Sequence, residues 1–166
     1  MPKTSAGIVA FRRRQGTIEV LLVHPGGPLW RNKDEGAWSI PKGEYVAGEN
    51  AEEVARKEFG EELGVQLTQK NLFPLGDVRQ RGGKIVRAFA VETDLDARNI
   101  QSNTFEIEWP PRSGRRQTFP EIDRAGWFEL VSARVKINQA QQVLLDRLES
   151  EATRLMLFAR ASRDHP

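Results

Sequence analysis

Residues 43–65 read GEYVAGENAEEVARKEFGEELGV, a glycine-bounded loop that runs into a strongly acidic segment. Asn50 offers an N-cap side chain, Glu53 follows at the spacing of a capping box, and Gly64 supplies a stop. These signals predict a helix over Ala51 to Leu63. Wound at about 100° per residue, Ala51, Val54, Ala55, Phe59 and Leu63 share one broad face, which should be buried. On the same projection Glu58 falls between Val54 and Ala51, Glu62 falls between Ala51 and Ala55, and Glu61 lies at the edge beside Val54. Glu52, Glu53, Arg56 and Lys57 occupy the far side and read as solvated surface.

Three carboxylates on or beside an apolar face need a counter-charge. Like charges at i,i+4 oppose a helix by roughly 0.2–0.5 kcal/mol, and a buried unpaired carboxylate costs several kcal/mol. Lys57 or an arginine offers part of the answer. A divalent cation offers a better one, because all-oxygen sites suit Mg²⁺ or Mn²⁺ and the chain has no cysteine to build a thiolate zinc site.

Outward from the helix, Ser5 to Phe11 and Ile18 to His24 are apolar and β-branched and flank the turn-like Arg13-Arg14-Gln15-Gly16, which predicts a hairpin. Pro25 to Gly36 reads as a loop, Trp38-Ser39-Ile40 as a short apolar piece ended by Pro41. Further strands are expected at Leu75 to Val78, Ile85 to Glu92, Phe105 to Trp109 and Gly126 to Leu130. A second helix is expected from about Ile137 to Leu148, with Glu151 to Phe158 continuing it. Trp109 to Arg116 reads as a mobile basic loop. Strands on both sides of a helix imply an α/β arrangement, in one domain over residues 1–158 with a frayed tail at 159–166.

The 25 basic residues nearly balance 23 acidic ones, so total charge gives no argument for nucleic-acid binding. Distribution says more, since acids crowd between Glu44 and Glu62 while arginines collect near residues 12–14, 79–87 and 112–116. That pattern suits a metal–phosphate ligand. No apolar run is long enough to span a membrane, no signal segment is evident and no disulfide is possible, so the expected compartment is the cytoplasm.

The stretch resembles the Nudix box: Gly, five residues, Glu, seven residues, then Arg-Glu-U-x-Glu-Glu-x-Gly-U, where U is a bulky aliphatic residue. Here Gly43 and Glu49 are followed by Lys57-Glu58-Phe59-Gly60-Glu61-Glu62-Leu63-Gly64-Val65. Lys57 replaces the arginine and Phe59 an aliphatic residue. Lysine keeps the charge but loses the bidentate fork, so a looser ion pair to Glu58 and a lower rate are expected. The run Trp38 to Gly43 is similar to the box entry of Nudix hydrolases of diadenosine polyphosphates and related nucleotides.

The resemblance implies the Nudix fold, a mixed β-sheet sandwiched between α-helices. It implies metal held by Glu58, Glu62, often Glu61, and the Gly43 carbonyl, with Glu49 holding the loop–helix joint and Gly64 ending the helix. A further carboxylate often comes from a late loop, for which Glu121 is the first candidate and Asp123 the second. The implied reaction is metal-dependent hydrolysis of a phosphoanhydride bond in a nucleoside or dinucleoside polyphosphate, with Glu58 as general base and Glu121 as the alternative.

Phosphates need donors, and Lys42, Arg79, Arg81 and Arg87 lie on segments flanking the expected site, while Arg112, Arg115 and Arg116 sit where a loop would close over a polyphosphate. Trp38 and Trp127 read as core, and His24 as a hydrogen-bonded structural histidine. Two rivals remain at this point, hydrolysis of RNA 5′ ends and a non-catalytic nucleotide-binding module; retention of Glu58, Glu61 and Glu62 weighs against the second. The oligomeric state is not legible.

Overall fold

In the computed structural model, which describes the backbone of residues 2–163 and the side chains of residues 2–154, helix α1 spans Ala51–Leu63. Its start is set by Asn50, whose side chain accepts from the Glu53 N–H at 3.0 Å. Its end is set by Gly64, whose φ of 73° is the left-handed cap conformation and whose N–H donates to the Gly60 carbonyl at 2.8 Å.

Strands β1 (Thr4–Arg14) and β2 (Thr17–Pro25) form the predicted hairpin. The turn is tighter than expected, because Arg13 and Arg14 pair with Ile18 and Thr17 and only Gln15 and Gly16 remain, both with positive φ. Strand β3 (Lys42–Tyr45) falls where the sequence predicts loop; its hydrogen bonds to β1 rather than any apolar alternation make it a strand. Strands β4 (Phe73–Arg79), β5 (Ile85–Glu92), β6 (Thr104–Glu108), β7 (Arg116–Pro120) and β8 (Ile122–Glu129) follow. The main sheet runs β4-β5-β1-β2-β8, with β3 also on β1. β1 and β5 are parallel and every other pair is antiparallel, so the sheet is mixed.

Alternation along β1 sorts the two faces. Ala6, Ile8 and Ala10 point toward α1 and pack with Val54, Ala55, Phe59 and Leu63; Val9 and Phe11 point the other way. That second face is covered by α2 (Leu130–Lys136) and α3 (Gln142–Arg163) through Ala133, Leu144, Leu145 and Leu148. A sheet between helices on both faces is the expected α/β sandwich.

Two expectations are corrected. The second helix does not begin at Ile137, which instead bridges to Trp38; α2 precedes it, a 3-10 turn covers Gln139–Gln141, and α3 starts at Gln142. The short apolar piece Trp38-Ser39-Ile40 is held to the sheet, its Ser39 bridging Val23 where β2 leaves β1. The basic stretch Trp109 to Arg116 is not an open loop: the Trp109 N–H donates to the Arg115 carbonyl at 2.8 Å, closing the β6–β7 hairpin. α3 carries helical backbone as far as Arg163, and residues 164–166 lie outside the described residues. Among the described residues no helix is long and apolar enough to cross a membrane.

Candidate active site

β1 is paired with β2 at its C-terminal half and with β3 at its N-terminal half, so the chain from Ser39 to Tyr45 fills the gap where β1 and β2 diverge. The Ile8 N–H donates to the Pro41 carbonyl at 3.0 Å, and the Val23 N–H to the Ser39 carbonyl at 2.9 Å. Buried Gln141 locks this insert to the helical layer: its Oε1 accepts from the Ile40 N–H at 3.0 Å and its Nε2 donates to Ser39 Oγ at 3.0 Å. The wedge thereby delivers Lys42 and Gly43 to the C-terminal half of α1.

Gly43 is required there by space. A Cβ at this position would lie 2.0 Å from Glu58 Cδ, so the carboxylate occupies the room that any side chain would take. Glu58 is half-buried, and burial first, then the charges of Glu61 and Glu121, push its pKa upward, against Lys57 and Lys42. Glu62 is buried at 8 % exposure, its Oε2 has no hydrogen-bond partner, and burial pushes its pKa up to about 8 despite Lys42. Such an orphaned buried carboxylate is what a cation would satisfy. Among the described residues no three acidic or imidazole groups close into a ligand cage. The oxygen donors present, the Glu58 and Glu62 carboxylates and the Gly43 carbonyl, fit a hard divalent cation that keeps part of its water shell.

The other box residues have separate tasks. Glu49 Oε1 accepts from the Val46 N–H at 2.9 Å, closing the turn ahead of α1. Glu61 is half-buried and lies 3.7 Å from Lys57 Nζ. Lys57 was expected to pair with Glu58; its ion pair goes to Glu61, and it reaches Glu58 only through its field. The carbonyl of Glu61 accepts from the Asn103 N–H at 3.0 Å, and the carbonyl of Asn103 from the Glu121 N–H at 2.8 Å. This relay of backbone bonds carries the loop with Glu121 to the end of α1.

A cleft of about 1060 Å³ opens beside them, lined by Lys42, Gly43, Glu62 and Glu121 at the carboxylate end, while Glu58 and Glu61 lie outside its lining. Arg81 and Lys84 line it from the β4–β5 turn, and Trp30 and Trp38 from the loop after β2. Of the predicted phosphate donors, Lys42 and Arg81 therefore face the cleft. Arg79 is exposed outside its lining, and Arg87 is committed to Asp77 at 2.9 Å. Arg112, Arg115 and Arg116 are exposed on the β6–β7 hairpin and do not line the cleft, with Arg116 held by Glu106. Asp123, the second late carboxylate, is bound to His24 Nδ1 at 2.8 Å.

Sequence reasoning missed Trp30 and Lys84. An aromatic residue in the polar run Pro28 to Gly36, and a lysine directly after Gly82-Gly83, are the signals that would have marked them.

The model of the NUDIX domain family matches residues 1–148. Among curated proteins none matches this chain. The fold is similar to that of the C. elegans Ap4A hydrolase (TM-score 0.63, 22 % identity, 91 % of this chain and 98 % of that one). It is equally similar to a mutT/nudix family protein from Listeria innocua (TM-score 0.63, 21 % identity, 95 % and 99 %). The NUDIX domain of Shewanella oneidensis NrtR, complexed with ADP ribose, aligns over 92 % of this chain and 89 % of its own (TM-score 0.60, 14 % identity). At these identities the likeness to solved structures speaks for the fold.

Proposed function

The chain belongs to the Nudix family of phosphoanhydride hydrolases, and from that premise we propose that it cleaves a nucleoside polyphosphate or dinucleoside polyphosphate with Mg²⁺ or Mn²⁺. The observation that carries this reading is Glu62, a buried carboxylate with an unpartnered oxygen at the floor of a cleft that also presents Lys42, Arg81 and Lys84. A site with an acidic floor and cationic rims fits an anionic substrate that arrives with, or meets, a divalent cation.

Glu58, Glu62 and the Gly43 carbonyl would hold the ion, with Glu61 and Glu121 at its margin. When bound, the ion supplies neutralisation of phosphate oxygens and a lower proton affinity for water. Lys42, beside Glu58 and Glu62, orients the phosphate nearest the carboxylates. Water attacks phosphorus, the anhydride P–O bond breaks, and the leaving phosphate keeps the electron pair. Glu58, beside the ion's other ligands, takes the water's proton. Glu121 is the alternative base. The platform for the nucleoside is Trp30, 39 % exposed at the cleft wall.

The test is incubation of the purified protein with Mg²⁺ or Mn²⁺ and nucleoside triphosphates, dinucleoside polyphosphates, nucleotide sugars and inositol diphosphates, with both products identified. Turnover of the first two classes, lost in the Glu62→Gln variant, is expected. Turnover confined to the last two, or unchanged in Glu62→Gln, overturns the reading.

A further inference from the structure

β2 and β8 pair regularly as far as His24 and Arg124, and the register then jumps to Pro25 and Ile122. Asp123 is the residue this bulge leaves over, and a bulge re-aims the side chain it releases. Its Oδ1 is hydrogen-bonded to His24 Nδ1 at 2.8 Å, while His24 Nε2 donates to the Lys33 carbonyl at 2.6 Å. His24 is fully buried and packs edge-on to Trp38 at 5.2 Å. Hydrolysis needs no buried histidine at this position.

What lies on either side of the ring gives it a task. On one side, the Gly26 N–H donates to the Glu121 carbonyl at 2.8 Å, and a Cβ at Gly26 would sit 2.0 Å from the Pro120 carbonyl oxygen, so the two backbones touch. On the other, the Lys33 N–H donates to the Trp30 carbonyl at 3.0 Å, which ties the position of Trp30 to the residue His24 holds. Glu121 and Trp30 line the same cleft from different segments. Their common fixed point is one imidazole.

We propose that His24 and Asp123 are a positioning pair that locks together the two cleft walls carrying Glu121 and Trp30. Asp123 orients the ring, and the oriented ring holds Lys33. A change at Asp123 must therefore be felt in the loop around Trp30, a segment Asp123 does not touch. The kinetic consequence rests on the hydrolase reading; the coupling itself does not.

The test uses amide hydrogen exchange of the full chain without substrate or metal, followed at Gly26, Lys33 and, as reference, Phe59 in the middle of α1. Asp123→Ala is expected to speed exchange at both Gly26 and Lys33 by about tenfold and leave Phe59 within about twofold of wild type. Asp123→Asn, whose amide still offers the ring nitrogen a hydrogen-bond partner, should restore both. On the substrate the wild type cleaves, Asp123→Ala should lower kcat/KM by about tenfold, and adding His24→Gln should lower it by no more than about a further twofold, because both changes break one device. Faster exchange at Gly26 alone, equal loosening of Phe59, or additive kinetic losses overturns the proposal. If the wild type cleaves no phosphoanhydride, the hydrolytic reading falls while the exchange result still decides the pair.

Discussion

Glu62 places a carboxylate where a core residue belongs, and the cost of doing so is measurable in the metal-free protein. Its ordinary pKa of 4.5 is pushed to about 8 by burial. Between those values the unfolded chain has released the proton and the folded chain still holds it. Stability therefore falls as pH rises from about 4.5 to about 8, by several kcal/mol at full extent, and stays low above that. Glu62→Gln removes the slope. Thermal melts in EDTA should show the variant level with wild type near pH 4.5 and more stable by at least about 5 °C at pH 8.5; equal melting at both values would contradict the burial of this charge. Gly43→Ala should act oppositely, since its Cβ would enter the space of the Glu58 carboxylate. An overpacked site of this kind costs about 1–3 kcal/mol in stability, and turnover should fall by about a hundredfold, which melts and initial rates would check. The inward position of Glu58 and Glu62 was legible from helical periodicity alone, because it needs only 13 residues of local geometry. Trp30 and Lys84 were not, because their approach to those glutamates depends on loops that meet only through tertiary contacts.

Elements with strong local signals were read correctly and elements held by their neighbours were not. α1 has an N-cap, a stop and an apolar face; α2 has seven residues, of which Val131 and Val135 are exposed and only Ala133 is buried, so its periodicity points the wrong way. β3 and β7 owe their existence to ladder bonds with β1 and β6. The same reason decides which basic residues reach the cleft. Basic residues are equally basic on every hairpin, but the β4–β5 turn brings Arg81 and Lys84 to the cleft, whereas the β6–β7 hairpin keeps Arg112 outside its lining. Replacing Arg81 and Lys84 together by alanine should raise KM for the cleaved polyphosphate by about tenfold or more, since loss of even one charge-assisted bond at about 1.5–3 kcal/mol carries that factor. Arg112→Ala should leave KM within about twofold. A reversed ranking in steady-state kinetics would move the substrate's phosphates to the other hairpin.

For the whole molecule, the two-sided sandwich is what makes the buried charge tolerable. The sheet and α1 share a core built on Ile8, Leu21, Phe59 and Leu63, and the opposite layer is closed by Leu144, Leu145 and Leu148, so the penalty at Glu62 is spread against a large apolar reserve. An ion that binds the folded chain through Glu62 must displace the proton held there, and metal affinity should therefore rise with pH across the window in which the proton is lost. At 100 times the dissociation constant a ligand adds about 2.7 kcal/mol to stability. Saturating Mg²⁺ or Mn²⁺ should accordingly raise the wild-type melting temperature by about 5–10 °C at pH 8.5, by less than half as much at pH 6, and not at all in Glu62→Gln. A rise that is equal at both pH values would mean that the ion binds groups already ionised at pH 6. A rise that survives in Glu62→Gln would place the ion elsewhere on the molecule, leaving the orphaned oxygen of Glu62 without its partner.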